Sequence, residues 1–240
     1  TEIDPNLWLV NVQPEEAMRE YALMILKFQT IYKAVFENRL VRYFLRFVPS
    51  LQELVILGKI LFHLQERLPD GRYRWDRVVM DAPATGHALS FLSVPQVLLD
   101  TVPAGPLARE AEKMRDLLVD PSVTAALLVS LPEEMPINET IELHRALSSQ
   151  VRMNSVAVVL NMFIEDRFQP GDENLVPPSL RPIVGFHQTR EDLSAAARDR
   201  LERELALPVM PVPRLYEPRI SRAMIEQVGQ RLAPLWEGAR

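Results

Sequence analysis

The segment over residues 75–87 constrains the fold more than any other part of this sequence. A short apolar run, Val78-Val79-Met80, ends abruptly in Asp81, and the turn-forming residues Pro83 and Gly86 follow it. This pattern is typical of a buried strand that delivers a carboxylate to the edge of a sheet, where ligands bind in open α/β folds. It therefore predicts a strand over residues 75–81 and a functional loop directly after it.

Apolar runs in the remainder of the chain predict further strands of the same kind. They are continuous rather than alternating, which is typical of strands buried on both faces. Helical patterns separate them, so we predict an α/β fold with a mostly parallel sheet that helices cover on both faces. The predicted strands cover residues 123–131, 154–161, 182–186 and 207–212, and the predicted helices cover residues 94–102, 106–119, 136–150, 190–206 and 218–236.

The sequence before this region predicts helices only. Residues 14–66 follow helical spacing, and a capping pattern at Ser50 and Glu53 begins a helix that runs to about Leu68. We expect a helical subdomain over about residues 14–68, inserted in a single domain that takes in residues 1–240. Its methionine and aromatic side chains either form a plain core or line an exposed apolar groove.

Composition excludes several classes of protein. The 240 residues are 48% apolar and 25% charged, as in ordinary soluble proteins, and the net charge of −5 argues against nucleic-acid binding. There is no cysteine, so neither disulfides nor thiolate metal sites such as zinc sites form. The apolar runs are too short to span a bilayer and no secretory leader pattern is present, so we expect a cytoplasmic protein.

The stretch Asp81-Ala82-Pro83-Ala84-Thr85-Gly86-His87 resembles a motif of a known family. That motif is Asp-Thr-Ala-Pro-Thr-Gly-His of the arsenical pump-driving and tail-anchored-protein-targeting ATPases, and an Asp-Ala-Pro-Pro-Thr-Gly form is nearer still. Residues 105–121 and 131–140 are also similar to parts of small bacterial members, so the resemblance extends from about residue 50 onward. It implies a P-loop NTPase-like fold of the SIMIBI type.

The resemblance implies a site for ATP and Mg²⁺ at the carboxyl ends of the strands. Asp81 would hold the Mg²⁺ ion through its water shell, and Thr85, Gly86 and His87 would belong to the loop that senses the γ-phosphate. Plainer interpretations stay open. An aspartate at a strand end is often a turn cap, and a histidine in a loop is often only solvated.

A second part of the implied site follows the predicted strand 154–161. In the family, the asparagine that ends this strand, here Asn161, binds the adenine ring; an amide donates and accepts at once, which suits a purine edge. The segment Pro211, Val212 and Pro213 matches the family segment whose backbone flanks the adenine. The alternatives are an asparagine that merely ends a strand and prolines that merely form a loop.

The phosphate-binding motif Gly-x-x-x-x-Gly-Lys-Ser/Thr is absent from these 240 residues. The pair Gly58-Lys59 precedes Ile60 and has no glycine in register upstream. Because the family carries this motif on its first strand, the resemblance implies a chain that is N-terminally incomplete. We therefore expect the whole protein to hydrolyse ATP and the 240-residue form to be inactive. The alternative is a non-catalytic subunit that pairs with a complete paralogue, which the sequence upstream of Thr1 would distinguish.

Partners follow from the resemblance alone. Family members dimerise face to face over the nucleotide, which implies a homodimer or a heterodimer with a paralogue. A hydrophobic client helix or a membrane pump subunit is the further partner that the family implies, and the apolar groove mentioned above would receive such a helix. Without cysteine, this chain neither binds arsenite through thiolates nor shares a zinc ion as some members do.

Overall fold

The fold is given by a computed structural model, which describes residues 1–13, 16–17, 51–101 and 104–237. Most of the predicted helical subdomain, residues 18–50, lies outside the described residues. The chain divides into two compact units, Thr1–Leu118 and Val119–Arg240. The extent of the predicted single domain stays a prediction.

In the described residues of the first unit, a small hairpin is accompanied by three helices. The strands β1 (Glu2–Asp4) and β2 (Leu7–Trp8) pair antiparallel. The helix α1 (Leu51–Gln65) confirms the helix predicted from Ser50, and α3 (Pro106–Val119) has the predicted bounds. Leu54 and Leu57 of α1 are buried, and α1 packs against α2 (Thr85–Thr101).

The helix α2 begins nine residues before its predicted start at residue 94. Its buried side chains Ala88, Phe91, Leu92 and Pro95 recur at helical spacing, so a single apolar stripe drives the whole element. Pro95 lies inside the helix although proline lacks the N–H that would bond one turn back. Its complete burial offsets that loss and the helix continues through it.

The predicted strand 75–81 is wrong in this structure. Residues 75–84 form neither helix nor strand, and the side chain of Val79 is 86% exposed. A strand is stabilised by hydrogen bonds to a neighbouring strand, and no strand of the described residues pairs with this segment. Apolar sequence alone therefore did not determine the local conformation.

The second unit is built on a parallel sheet in the order β3-β4-β5. Its strands are β3 (Ala126–Ser130), β4 (Ser155–Phe163) and β5 (Val209–Pro213). They confirm three of the predicted strands, and the parallel pairing with surrounding helices confirms the P-loop NTPase-like α/β fold class. In the central strand β4, Ala157, Val158 and Leu160 are completely buried, as the continuous apolar run predicts.

Helices α4 (Glu134–Ala146) and α5 (Arg181–Leu205) pack against each other, and they contact β3 and β5 respectively. The predicted short strand 182–186 is wrong, because α5 begins at Arg181. Pro182 lies in its first turn, where its missing N–H costs nothing. A π-helical turn, Leu147–Val151, extends α4, and a 3₁₀ turn, Asp172–Asn174, precedes α5.

The chain closes with α6 (Arg222–Leu232) and the short α7 (Pro234–Glu237). The side chain of Ser221 accepts a hydrogen bond from the Met224 backbone N–H at 3.3 Å and so sets the start of α6. This cap explains why the helix begins four residues after its predicted start at residue 218. Among the helices of the described ranges, none combines the length and the apolar content needed to cross a membrane.

Candidate functional site

Asp81 lies in the first unit, in the irregular segment that leads to α2. Its side chain is exposed, as are those of Pro83 and Ala84, and it makes no hydrogen bond or ion pair with another residue of the described part. The segment is held at its beginning, where the Trp75 indole N–H donates to Glu66 at 3.0 Å and its ring packs edge-on against Trp8. The carboxylate is thus available to a ligand rather than used as a cap.

Thr85, Gly86 and His87 form the first turn of α2 rather than a separate loop. The backbone N–H of His87 donates to the carbonyl oxygen of Ala84 at 3.0 Å, which closes the turn. Thr85 has φ 26°, a conformation that is strained for a β-branched residue. Gly86 and His87 are exposed, so this end of the helix presents its backbone N–H groups and a histidine to solvent.

In the second unit the structure brings together the two sequence segments that were predicted to bind adenine. Leu160 pairs with Pro211, and Phe163 pairs with Pro213, so the two residues between them on β4 face the single Val212 on β5. The extra residue makes a β-bulge, and Met162 has φ 55° there. Bulges re-aim side chains, and this one lies at Asn161, close to the end of β4.

The Asn161 side chain is oriented by its own backbone. Its Oδ1 accepts a hydrogen bond from the Met162 N–H at 2.9 Å. The amide Nδ2 makes no hydrogen bond with another residue of the described ranges and is the group left to donate. Asn161 therefore offers a donor to a ligand, while its oxygen keeps one lone pair for a second contact.

Beyond the bulge, the ends of β4 and β5 border a shallow surface depression that encloses about 10 Å³, the space of about one water molecule. The ring of Tyr216 is exposed, and its centroid lies 5.4 Å from the guanidinium group of Arg167 and 5.7 Å from that of Arg214. The lining residues are Phe163, Ile164, Glu165, Arg167, Pro213, Arg214 and Tyr216.

Sequence reasoning missed Arg167, Arg214 and Tyr216. Tyr216 follows β5 by three residues and Arg167 follows β4 by four, so both lie at the carboxyl edge of the sheet. Their positions just after apolar runs are the signal that could have identified them.

Asp81 lies in the first unit, whereas Asn161 and residues 211–213 lie in the second. Within the described ranges, no group of three or more histidine, aspartate or glutamate side chains is arranged to hold a metal ion. A single carboxylate nevertheless fits Mg²⁺, which keeps several waters and takes its other ligands from phosphates. Asp81 has that character, because its carboxylate is exposed and has no partner among the residues that the structure describes.

Comparison with known proteins identifies a family. The model of the anion-transporting ATPases matches residues 1–103 and 106–174. The chain is 28% identical over 158 residues to the ATPase BagA of Mycobacterium tuberculosis, which covers 66% of this chain and 46% of that protein.

Two eukaryotic ATPases are also similar. The ATPase GET3 of Lachancea thermotolerans is 24% identical over 148 residues, which covers 50% of this chain and 42% of that protein. The ATPase ASNA1 homolog of Entamoeba dispar is 26% identical over 149 residues, with 49% and 43% covered. The chain therefore spans less than half the length of these relatives.

Proposed function

This chain belongs to the anion-transporting ATPase family, and from that premise we propose that the whole protein binds ATP with Mg²⁺ and hydrolyses it to ADP and phosphate. The 240 residues contribute the adenine site and the carboxylate for the metal ion. The phosphate-binding loop belongs, on this proposal, to a segment upstream of Thr1. The proposed ATPase activity is supported by the similarity to relatives that are named as ATPases.

The observation that carries the proposal is the bulge at the carboxyl edge of the parallel sheet. It sets Asn161 beside the segment Pro211–Pro213, so two stretches that are fifty residues apart in sequence form one surface. Ligands of open α/β sheets bind at this edge. A structural asparagine at a strand end would need neither the bulge nor the partner segment.

The residues of the second unit would bind and orient the base. The Nδ2 group of Asn161 donates to a ring nitrogen of the purine, and its Oδ1 accepts from the exocyclic amine of adenine. This pair of contacts distinguishes adenine from guanine, which presents an acceptor where adenine presents a donor. The Tyr216 ring supplies a face on which a flat ring system stacks.

The residues of the first unit would act at the phosphate end. Asp81 would hold Mg²⁺ through water, and a bound Mg²⁺ ion supplies neutralisation of phosphate charge. Thr85, Gly86 and His87 lie at the positive end of the α2 dipole, where an anion is stabilised. We assign them to recognition of the γ-phosphate, with the strained Thr85 as the residue whose conformation responds.

The test of the base site compares ATP with GTP. In the whole protein, Asn161→Ala should raise KM for ATP about tenfold, leave KM for GTP within about twofold, and leave kcat nearly unchanged, because base contacts are equal in ground and transition states. The matched control is Asn154→Ala, an exposed asparagine just before β4. If Asn161→Ala raises KM equally for ATP and GTP, or raises it for neither, the assignment of Asn161 to adenine is refuted.

The alternative function is a partner subunit without catalysis, which would pair with a complete paralogue. The upstream reading frame decides between the two. We further propose, from the family alone, pairing as a homodimer or with a paralogue, and a hydrophobic client helix or membrane pump subunit as partner. Size-exclusion chromatography of the whole protein with and without ATP tests the pairing.

A further inference from the structure

The loop that follows β4 is fastened to α5 by buried side chains. The backbone N–H of Arg167 donates to Glu191 Oε1 at 2.8 Å, and the backbone N–H of Ile164 donates to Ser194 Oγ at 3.3 Å. Glu191 is 4% exposed and Ser194 is 1% exposed. Both loop amides are therefore satisfied from the helix rather than by water.

His187 and Gln188 extend this attachment by one helical turn. His187 Nδ1 lies 2.9 Å from the same Glu191 oxygen, and its ring packs edge-on against Phe168 with centroids 5.3 Å apart. The Gln188 amide donates to the carbonyl oxygen of Gln169 at 3.1 Å. Residues 187, 191 and 194 recur at helical spacing, so one face of α5 holds residues 164–169.

A buried carboxylate is a costly way to hold a loop. Its burial is unfavourable unless hydrogen bonds replace the lost water, and an apolar side chain would fill the same space without that cost. The hydrogen bonds of Glu191 go to a loop amide and to a histidine that itself packs on the loop. These hydrogen bonds hold the loop backbone at Arg167, which is one of the residues that line the depression beside Tyr216.

We propose that Glu191 is a positioning residue, which fixes the loop after β4 as a wall of the depression and thereby sets the affinity of the protein for the base of its nucleotide. The effect on the nucleotide rests on the proposed function, whereas the effect on the loop does not. Glu191 itself is absent from the lining of the depression.

The effect on the loop is measured without nucleotide, by amide hydrogen exchange in the 240-residue chain. Glu191→Ala should increase exchange at Arg167 about tenfold or more, because an amide bonded to a charged acceptor loses its partner. Glu191→Gln keeps a carbonyl oxygen at this position and should restore most of the protection. The control is Glu202→Ala on the exposed side of α5, where Glu202 forms an ion pair with Arg198.

Ser194→Ala provides a second variant if Glu191→Ala does not fold, and it should increase exchange at Ile164. Unchanged exchange at these amides in a folded variant would overturn the proposal. So would increased exchange in Glu202→Ala of the same size, because the effect would then be general loosening of α5.

The effect on the nucleotide is measured in the whole protein. Glu191→Ala should raise KM for ATP about fivefold to tenfold with kcat within about twofold, and Glu191→Gln should lie near the unmodified protein. If Asn161→Ala raises KM while Glu191→Ala loosens the loop without changing KM, positioning is refuted and the adenine site stands. If Asn161→Ala itself changes nothing, the proposed function fails and the nucleotide part of this inference fails with it.

Discussion

The backbone N–H of Arg214 donates to the carbonyl oxygen of Phe163 at 2.8 Å. This bond continues the pairing of β4 and β5 beyond the bulge, and the pair Leu160 and Pro211 fixes the register before it. The backbone at Asn161 and Met162 is therefore held from both sides. The left-handed conformation of Met162 is therefore fixed by the strand pairing on both sides of the bulge and does not reflect a loose strand end.

Substitution at Met162 should reveal this constraint. Met162→Val should destabilise the chain by about 1–3 kcal/mol, because a β-branched residue is poorly accommodated at φ 55°. Met162→Gly should be close to neutral, because glycine adopts positive φ without strain. The measurement is urea unfolding of the 240-residue chain.

Val156, an exposed residue of β4 with ordinary strand geometry, is the control for the glycine effect. Val156→Gly should cost about 1 kcal/mol, since glycine weakens a strand. If Met162→Gly and Val156→Gly destabilise equally, the conformation at Met162 carries no strain and the bulge is not a fixed feature.

A buried hydroxyl pair offers a second test, on the packing of α4 against β3. Thr140 Oγ1 lies 2.9 Å from Ser130 Oγ and 2.7 Å from the carbonyl oxygen of Pro136. Thr140→Val should destabilise the chain by about 1–3 kcal/mol, because it leaves the buried Ser130 hydroxyl without this partner. Thermal and urea unfolding of the 240-residue chain measure the loss.

The double variant Ser130→Ala with Thr140→Val separates the hydrogen bond from the packing. It should cost less than the sum of its single variants, because an apolar pair of similar shape leaves no orphaned hydroxyl. Additive losses would show that the two hydroxyls do not stabilise each other.

The strands of the second unit were predicted correctly because each of them is a continuous apolar run that can be recognised from the local sequence. The continuous apolar run over residues 157–160 is buried, as expected of a strand in a parallel sheet that helices cover, so composition and burial agree there. The segment 75–81 also contains an apolar run. A strand, however, needs a neighbouring strand to which it can form hydrogen bonds, and the sequence of the segment does not show whether such a neighbour exists. The strand predicted at residues 182–186 was wrong for a different reason. Pro182 lies in the first turn of α5, a position where proline favours a helix.

For the candidate site, the sequence suggested individual residues but not how they are arranged in space. Asn161 was proposed because it ends an apolar run, and Pro211 was proposed from the family resemblance; the structure adds the bulge that sets the two segments side by side. Glu191 gave no such signal, because a glutamate within a charged helix looks like a solvated residue. Its burial depends on where residues 164–168 pass, which is a tertiary property that no local pattern contains.

The pH dependence of stability should report on His144. Its Nδ1 is buried without a hydrogen-bond partner in the described structure, and burial, followed by the nearby charge of Arg145, lowers the pKa of His144. The folded state then binds fewer protons than the unfolded state, so stability is complete above about pH 6.5 and falls as the pH drops below it. Urea midpoints between pH 7.5 and 5 measure this slope.

His144→Leu is the matched variant for that series. It removes the protonation and the orphaned nitrogen, so the slope between pH 6.5 and 5 should become shallower. The lowered pKa values of Glu66 and Glu204, caused first by their hydrogen bonds with His63 and Arg200, act only at more acidic pH. An unchanged slope in His144→Leu would mean that another group titrates in this window.

The last prediction concerns Asp81 in the whole protein. Its exposed carboxylate has no partner in the described ranges that removal would disturb. Asp81→Asn should leave the melting temperature within a degree or so and lower kcat by about 10²-fold or more, the scale of a major electrostatic group at a phosphoryl-transfer site. Raising the Mg²⁺ concentration should recover part of the activity, because the asparagine keeps an oxygen but loses the charge.

Asp76→Asn is its control, an exposed aspartate of the same irregular segment, and it should retain full activity. The 240-residue chain should release no phosphate from ATP even when Asp76 and Asp81 are both unchanged, because it holds no phosphate-binding motif. The assignment of the two ends of the nucleotide would be reversed if Asn161→Ala abolished kcat while Asp81→Asn left it intact. Contacts to the base are made equally before and during phosphoryl transfer, so only the group beside the phosphates should control kcat.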